Sequence, residues 1–249
     1  MNRLSGRRVL VVGGARGVGA AMVRAFTADG ATVAVLARHP DDVARIAVEV
    51  DGRAWTVDLQ DPTDVRETME KAIAHLGRID VLVNNPGIAR FASLLEVEPA
   101  DVVEPFAMQT RSMLLTTQIA ARAMIGFRTP SSDCPGKVIN VAGASLAGDR
   151  APAHYAACRA AVMALTTAAA HELGPHGITV NCLCPGVVPE ELDAAERLPA
   201  RLAALSAHSP LGRLAEPGDV ARAAVFLASS DSDYLTGDAL NVAGGMAMR

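Results

Sequence analysis

The sequence predicts an α/β fold: a single doubly wound domain built on a parallel seven-stranded sheet with helices on both faces. Three observations predict it. Seven short runs rich in Val, Ile, Leu and Ala recur along 249 residues. Longer stretches with helical patterning separate most of them, the arrangement of a parallel sheet covered on both sides. The first run ends in a glycine-rich turn that opens directly into a helix. Because parallel crossovers are right-handed, this alternation winds the chain first to one side of the sheet and then to the other.

The elements follow in order. Residues 9–12 form a buried strand, and residues 17–29 a helix stopped by Gly30. Strand two covers 32–37, a helix 41–50 and strand three 54–57. A helix over 62–76 starts at Pro62 and ends before Gly77. Strand four is 81–83. A long helical region follows Pro99 and runs to about Ile125. Strand five covers 137–141, a helix 152–173 and strand six 178–183. A helix over 216–229 and a short strand over 239–242 close the chain. Residues 187–209 lack clear periodicity and follow strand six at the carboxyl edge of the sheet. They read as a substrate loop or lid, or else as an ordinary helical insertion.

Composition narrows the function classes. Half the residues are hydrophobic and 20% are charged, so a sizeable core can be buried and disorder is excluded. The net charge of −4 comes without any run of Lys or Arg, which argues against nucleic acid as a partner. No apolar run is long enough to span a membrane. The first residues enter a strand without a leader-like apolar segment, so a cytoplasmic location is expected. Cys134, Cys158, Cys182 and Cys184 show neither zinc spacing nor a disulfide framework. Cys182 and Cys184 share one strand face and read as reduced core rather than as a redox or metal site; no metal is expected.

The turn Gly13-Gly14-Ala15-Arg16-Gly17-Val18-Gly19 carries the first chemistry. Backbone must approach a pyrophosphate closely here, which excludes side chains at Gly13, Gly17 and Gly19. The amides at the start of the helix then face the anion. This is a Rossmann-type dinucleotide turn, and its spacing brings in a resemblance. With Asp58-Leu59 after strand three, Asn84-Asn85-Pro86-Gly87 after strand four, Tyr155 opening a helix, and Pro185-Gly186 after strand six, the chain resembles the short-chain dehydrogenase/reductase family over nearly its whole length. Pro210-Leu211-Gly212-Arg213 and the segment from Leu235-Thr236-Gly237 to Gly244-Gly245 extend the likeness. The resemblance implies cofactor contacts at Gly13, Arg16, Gly17, Val18, Gly19, Arg38, Asp58, Leu59, Asn85, Gly87, Tyr155, Arg159, Pro185, Gly186 and Val188. It also implies a homodimer or homotetramer.

The end of strand two selects the cofactor. NAD-preferring relatives carry an acid there, which binds the ribose hydroxyls and repels a 2′-phosphate. Here Ala37 is followed by Arg38, and Arg16 lies in the glycine turn. Two guanidiniums can clamp a phosphate with charge-assisted bonds, so NADP(H) is the expected cofactor. The alternative leaves Arg38 as a solvated surface residue.

The catalytic positions depart from the family's pattern. By resemblance, a Tyr exchanges a proton with the substrate oxygen, a Ser holds that oxygen, a Lys binds ribose and assists the Tyr, and an Asn bends its helix and supports a proton-relaying water. Tyr155 is present, and four residues on, one helical turn away, stands Arg159 in place of Lys. Arg outnumbers Lys 21 to 2, which offers a bland explanation for the exchange without making it harmless. The Ser position falls on Ala142 or on Gly143, neither with a hydroxyl; Ser145 is the nearest replacement. Gln109 stands for the Asn. Glu190 follows the Pro-Gly turn where the family has a Thr. His154, Asp149, Arg150, Glu190 and Glu191 are polar newcomers; the His or a Glu could serve as a general base, and otherwise all are solvated surface groups.

Three functions follow. The first is an NADP(H)-dependent oxidoreductase, a carbonyl reductase with Tyr155, Arg159, Gln109 and Ser145 as catalytic residues. The second is a non-redox isomerase, dehydratase or cyclase on the same scaffold. The third is a catalytically impaired partner subunit. The substrate is not legible.

Overall fold

A computed structural model describes residues 2–87, 93–127, 136–143, 152–192 and 197–246. Ser145, Asp149, Arg150 and Cys134 lie outside the described residues, as does part of the 187–209 segment.

The strands are β1 (Arg8–Val12), β2 (Thr32–Ala37), β3 (Ala54–Thr56), β4 (Val81–Asn84), β5 (Gly136–Val141), β6 (Ile178–Pro185) and β7 (Ala239–Val242). They form one sheet in the order β3-β2-β1-β4-β5-β6-β7, and every pair is parallel. The expected doubly wound sheet is therefore present. After β3 the chain returns to the far side of β1, so the winding reverses between β1 and β4. Ligands of open α/β sheets bind in the crevice that such a reversal leaves at the carboxyl ends of the strands.

Strand periodicity sends alternate side chains to opposite faces. Val9 and Val11 pack with Met22 and Phe26 of α1 (Gly17–Ala28) and with Val220 and Val225 of α8 (Pro217–Ala228). Leu10 and Val12 pack with Val65 and Met69 of α3 (Pro62–Leu76) and with Leu115 of α5 (Ser112–Gly126). Each fully buried Leu or Phe contributes roughly 1.5–3 kcal/mol. The stop signals for α3 hold. The Asp61 side chain accepts the Thr63 amide at 2.8 Å, Pro62 occupies the first turn, and Gly77 ends the helix with φ +76°.

The expected helical region after Pro99 is present, with a change of helix type inside it. It is two helices joined by a π-helical turn: α4 (Pro99–Pro105), the wide turn Phe106–Arg111, and then α5. Pro105 removes a backbone donor inside the helix, and the widened turn begins immediately after it. The other edges differ by a residue or two: α2 is Pro40–Glu49, and β6 runs on through Pro185. The 187–209 segment contains a 3₁₀ turn at Pro189–Glu191 and a short helix, α7 (Pro199–Ser206), none of whose residues is buried. No described helix is long and apolar enough to cross a membrane.

Candidate functional site

The crevice between β1 and β4 is built from glycine and asparagine. Gly13 leaves β1 at φ +77°, a conformation that disfavours any side chain. A Cβ there would overlap the Asn85 carbonyl oxygen, and one on Gly19 would overlap the Gly13 carbonyl. Asn85 ties the two turns together: its amide donates to Val12 O at 2.9 Å and its Nδ2 to Gly13 O at 3.1 Å. Arg16, at the N-cap of α1, supplies no side-chain acceptor to the first turn. The result is a side-chain-free backbone surface at a helix start, which fits a pyrophosphate. Val18 beneath it is buried. Gly87 is exposed, with open space where a side chain would stand.

Beyond the glycine turn lies the end of β2. Ala37 is buried and Arg38 exposed. Arg16 is not the unattached cation that its place in the turn suggests. Its Nε pairs with Asp42, whose side chain is only 4% exposed and also takes Arg45 at 2.7 Å. Asp58 is exposed and turns its Oδ1 to the Gln60 amide at 2.9 Å, while Leu59 is buried.

Tyr155 and Arg159 lie one turn apart near the start of α6 (Ala153–Leu173). Arg159 Nη2 donates to the Tyr155 hydroxyl, and its Cζ stands 4.5 Å from the ring centroid. Burial pushes the Arg159 guanidinium down to about 10, which leaves it charged at neutral pH. Its Nε is buried without an acceptor. Of the two residues lacking the hydroxyl, Ala142 is buried beside Met113, Val162, Cys182 and Cys184, and its amide donates to Leu183 O at 3.0 Å. Gly143 is the one that faces Arg159: a Cβ built there would meet Nη1 and Nη2 at 3.2 Å.

Gln109 sits in the π-helical turn, 2% exposed, with its Nε2 buried and unpartnered. Its Oε1 lies 3.8 Å from the Cys158 thiol, which also donates to Pro105 O at 3.4 Å. Burial pushes the Cys158 thiol up and keeps it protonated. His154, read from sequence as a surface group or a base, is instead buried at 7% exposure, because the first turn of α6 is covered. Glu190 is exposed. Pro185 and Val188 are buried, and Gly186 lies so close to Ala243 that a Cβ would come within 2.8 Å of its Cα. Cys182 and Cys184 bring their sulfurs to 3.6 Å, too far apart for a disulfide bond, and that contact together with burial pushes Cys182 up. No cluster of metal-binding side chains occurs among the described residues.

Sequence reasoning missed a buried polar network under this site. Asn84 Nδ2 donates to Asn140 Oδ1 at 2.9 Å and to Thr117 Oγ1 at 3.2 Å. Thr116 donates to Asn84 Oδ1 at 2.7 Å, and Asn140 Nδ2 to Thr166 Oγ1 at 3.0 Å. The network joins the ends of β4 and β5 to α5 and α6, the helix that bears Tyr155. Its signal was available: Asn140 interrupts the apolar stretch from Val138 to Val141, in a strand where Asn is disfavoured.

Comparison with known proteins agrees with this geometry. A family model described as "Enoyl-(Acyl carrier protein) reductase" matches residues 13–247. The 3-oxoacyl-[acyl-carrier-protein] reductase of Thermotoga maritima is 34% identical over 254 residues, covering 99% of this chain and all of its own. The L-xylulose reductase of Bos taurus is 35% identical over 98% of this chain and 97% of its own. The L-rhamnose 1-dehydrogenase (NAD(P)(+)) of a Sphingomonas strain is 35% identical over 99% of this chain and 98% of its own. A solved short-chain dehydrogenase/reductase of Serratia marcescens, a double mutant with two Phe-to-Tyr exchanges, superposes with a TM-score of 0.87 at 30% identity, covering 99% of this chain and 100% of its own.

Proposed function

The chain belongs to the short-chain dehydrogenase/reductase family of oxidoreductases, which bind nicotinamide cofactors, and on that premise we propose that it is an NADP(H)-dependent carbonyl reductase. Reduction of a carbonyl is the activity named for the Thermotoga and bovine relatives. When bound, the dinucleotide supplies the two electrons and the hydrogen that the carbonyl carbon receives.

The chain's own residues do the rest. The turn Gly13, Gly17, Val18 and Gly19 holds the pyrophosphate against the start of α1. Asp58, Leu59, Asn85 and Gly87 line the adenosine side of the crevice, and Pro185, Gly186 and Val188 the nicotinamide side. Arg38, exposed at the end of β2, and Arg16, held by Asp42, take the 2′-phosphate. Tyr155 gives its proton to the substrate oxygen. Arg159 donates to the Tyr155 oxygen, which stabilises the negative charge left behind, and its remaining N–H groups reach the ribose. Gln109, within the π-helical turn where the family has Asn, offers an inward amide.

The observation that carries this reading is the bond from Arg159 to the Tyr155 hydroxyl: an acid–base group and a cation brought together one turn apart on α6. The test is NADPH consumption with a panel of ketones and keto esters. Turnover that disappears in Tyr155→Phe supports the reading; turnover retained there contradicts it. A non-redox reaction on the same scaffold is the second reading, favoured by the missing hydroxyl at Ala142 and Gly143. It predicts product formation without NADPH loss.

A homodimer or homotetramer belongs to the proposal; Val102 and Val103 of α4 and Leu114 and Ile125 of α5 are exposed apolar side chains that association could cover. The described cysteines carry no disulfide, which suits a reducing, cytoplasmic setting.

A further inference from the structure

Two departures from the family pattern, at Gly143 and at Arg159, meet in space. A Cβ on Gly143 would stand 3.2 Å from Nη1, 3.2 Å from Nη2 and 3.3 Å from Cζ of Arg159. Real side-chain contacts are rarely that tight, so any residue larger than glycine pushes the guanidinium aside. Arg159 is poorly placed to yield. Its ring contact and its bond to Tyr155 pin it from one side, and its Nε is already buried without an acceptor. The bare backbone of Gly143 is therefore the space into which the guanidinium fits.

The guanidinium has more donors than it uses among the described residues. Of five N–H groups, one goes to the Tyr155 hydroxyl. Both Nη groups lie along Gly143, beside the oxygen that would exchange a proton with substrate. An acceptor atom that reaches the Tyr155 hydroxyl also comes within reach of Nη. Its bond there would be charge-assisted and about twice as strong as one from a neutral hydroxyl.

Building on the carbonyl-reductase reading, we infer that Arg159, seated over Gly143, is the group that holds the substrate's carbonyl oxygen beside Tyr155. The step balances as carbonyl plus NADPH plus one proton giving alcohol plus NADP⁺. A C–H bond forms at the carbonyl carbon as the C=O π bond breaks, and the oxygen takes the Tyr155 proton. The phenolate left behind keeps its bond from Arg159 until solvent reprotonates it. One side chain thus serves both tyrosine and substrate, and the Ser-to-Gly and Lys-to-Arg exchanges depend on each other.

The test uses four full-length proteins: wild type, Gly143→Ser, Arg159→Lys and the double variant. Thermal unfolding without cofactor, NADPH affinity by fluorescence, and NADPH-dependent reduction of ethyl acetoacetate are measured for each. Gly143→Ser alone lowers the melting temperature by several degrees and the rate at saturating NADPH at least tenfold. Arg159→Lys alone also loses at least tenfold in rate. The double variant, which has a hydroxyl and room for it, recovers both stability and rate. Strictly additive effects of the two substitutions on melting temperature overturn the pairing. Gly143→Ser with an unchanged rate overturns the role of Arg159, as does a wild type that is inert while the double variant turns over. If none of the four turns over although all bind NADPH, the reductase reading falls, and the role of Arg159 falls with it.

Discussion

Arg16 makes an ion pair with Asp42, a carboxylate almost wholly withdrawn from solvent that also holds Arg45. The cation of the glycine turn is thereby held by α2, while Arg38 stands exposed at the end of β2. Charge-assisted bonds to a phosphate contribute about 1.5–3 kcal/mol each. Arg38→Ala and Arg16→Ala should each raise the NADPH dissociation constant roughly 10- to 100-fold. NADH affinity, which does not use the 2′-phosphate, should stay within about twofold. Parallel titrations of the two cofactors check this, and equal losses for both would argue against a phosphate clamp.

Tyr155→Phe removes one oxygen and keeps the ring against which Arg159 packs. The fold and NADPH affinity should be retained, while turnover drops by roughly 10²–10⁴, the usual worth of a positioned acid. Unfolding curves and cofactor titration separate a chemical loss from a structural one.

The polar network should be costly to break. Asn140→Ala takes one of the two acceptors of Asn84 Nδ2 and removes a donor to Thr166, all of them buried. Leaving such groups unsatisfied costs about 1–3 kcal/mol apiece. The melting temperature should fall by roughly 5–10 °C for a domain of this size. A fall under one degree would mean that the network is satisfied by other means.

Asp219 governs the acid limb of stability near α8. Bonds from Arg213, at 2.6 Å, and from the Glu216 amide, at 3.0 Å, hold its carboxyl down to about 2, against an ordinary 3.8. A group depressed in the folded state stabilises the fold above its unfolded pKa. That contribution fades as pH drops from 3.8 towards about 2. Asp219→Asn should therefore be less stable than wild type near neutrality, by about 1 kcal/mol for the lost helix-start bond. The gap in urea midpoint should close near pH 2. A gap that stays constant with pH would contradict the linkage.

The strands of the doubly wound sheet and the phosphate-binding turn were legible because they rest on local signals. Continuous apolar runs such as Val9 to Val12 mark strands buried on both faces, and the turn from Gly13 to Gly19 marks the reversal point. Pro62 and Gly77 bracket a helix by local backbone chemistry alone. The π-helical turn was not legible, since the apolar pattern from Pro99 to Ile125 suits one helix; only Pro105 hints at the break. The pairing of Arg16 with Asp42 needed the packing of α2 against the glycine turn, which no periodicity encodes. His154 looked like a surface residue because its burial depends on what covers the first turn of α6. The substitutions at Gly143 and Arg159 were each visible, but as separate losses. Their contact depends on how β5 and α6 meet, and it turns two departures into one rearrangement.

The central claim is that this chain seats NADP(H) between β1 and β4, with the 2′-phosphate held by Arg16 and Arg38. Calorimetric titration of the folded protein with NADPH and with NADH tests it most directly. The account predicts saturable one-to-one binding with NADPH at least tenfold tighter. Tighter binding of NADH, or no saturable heat with either cofactor, would contradict it.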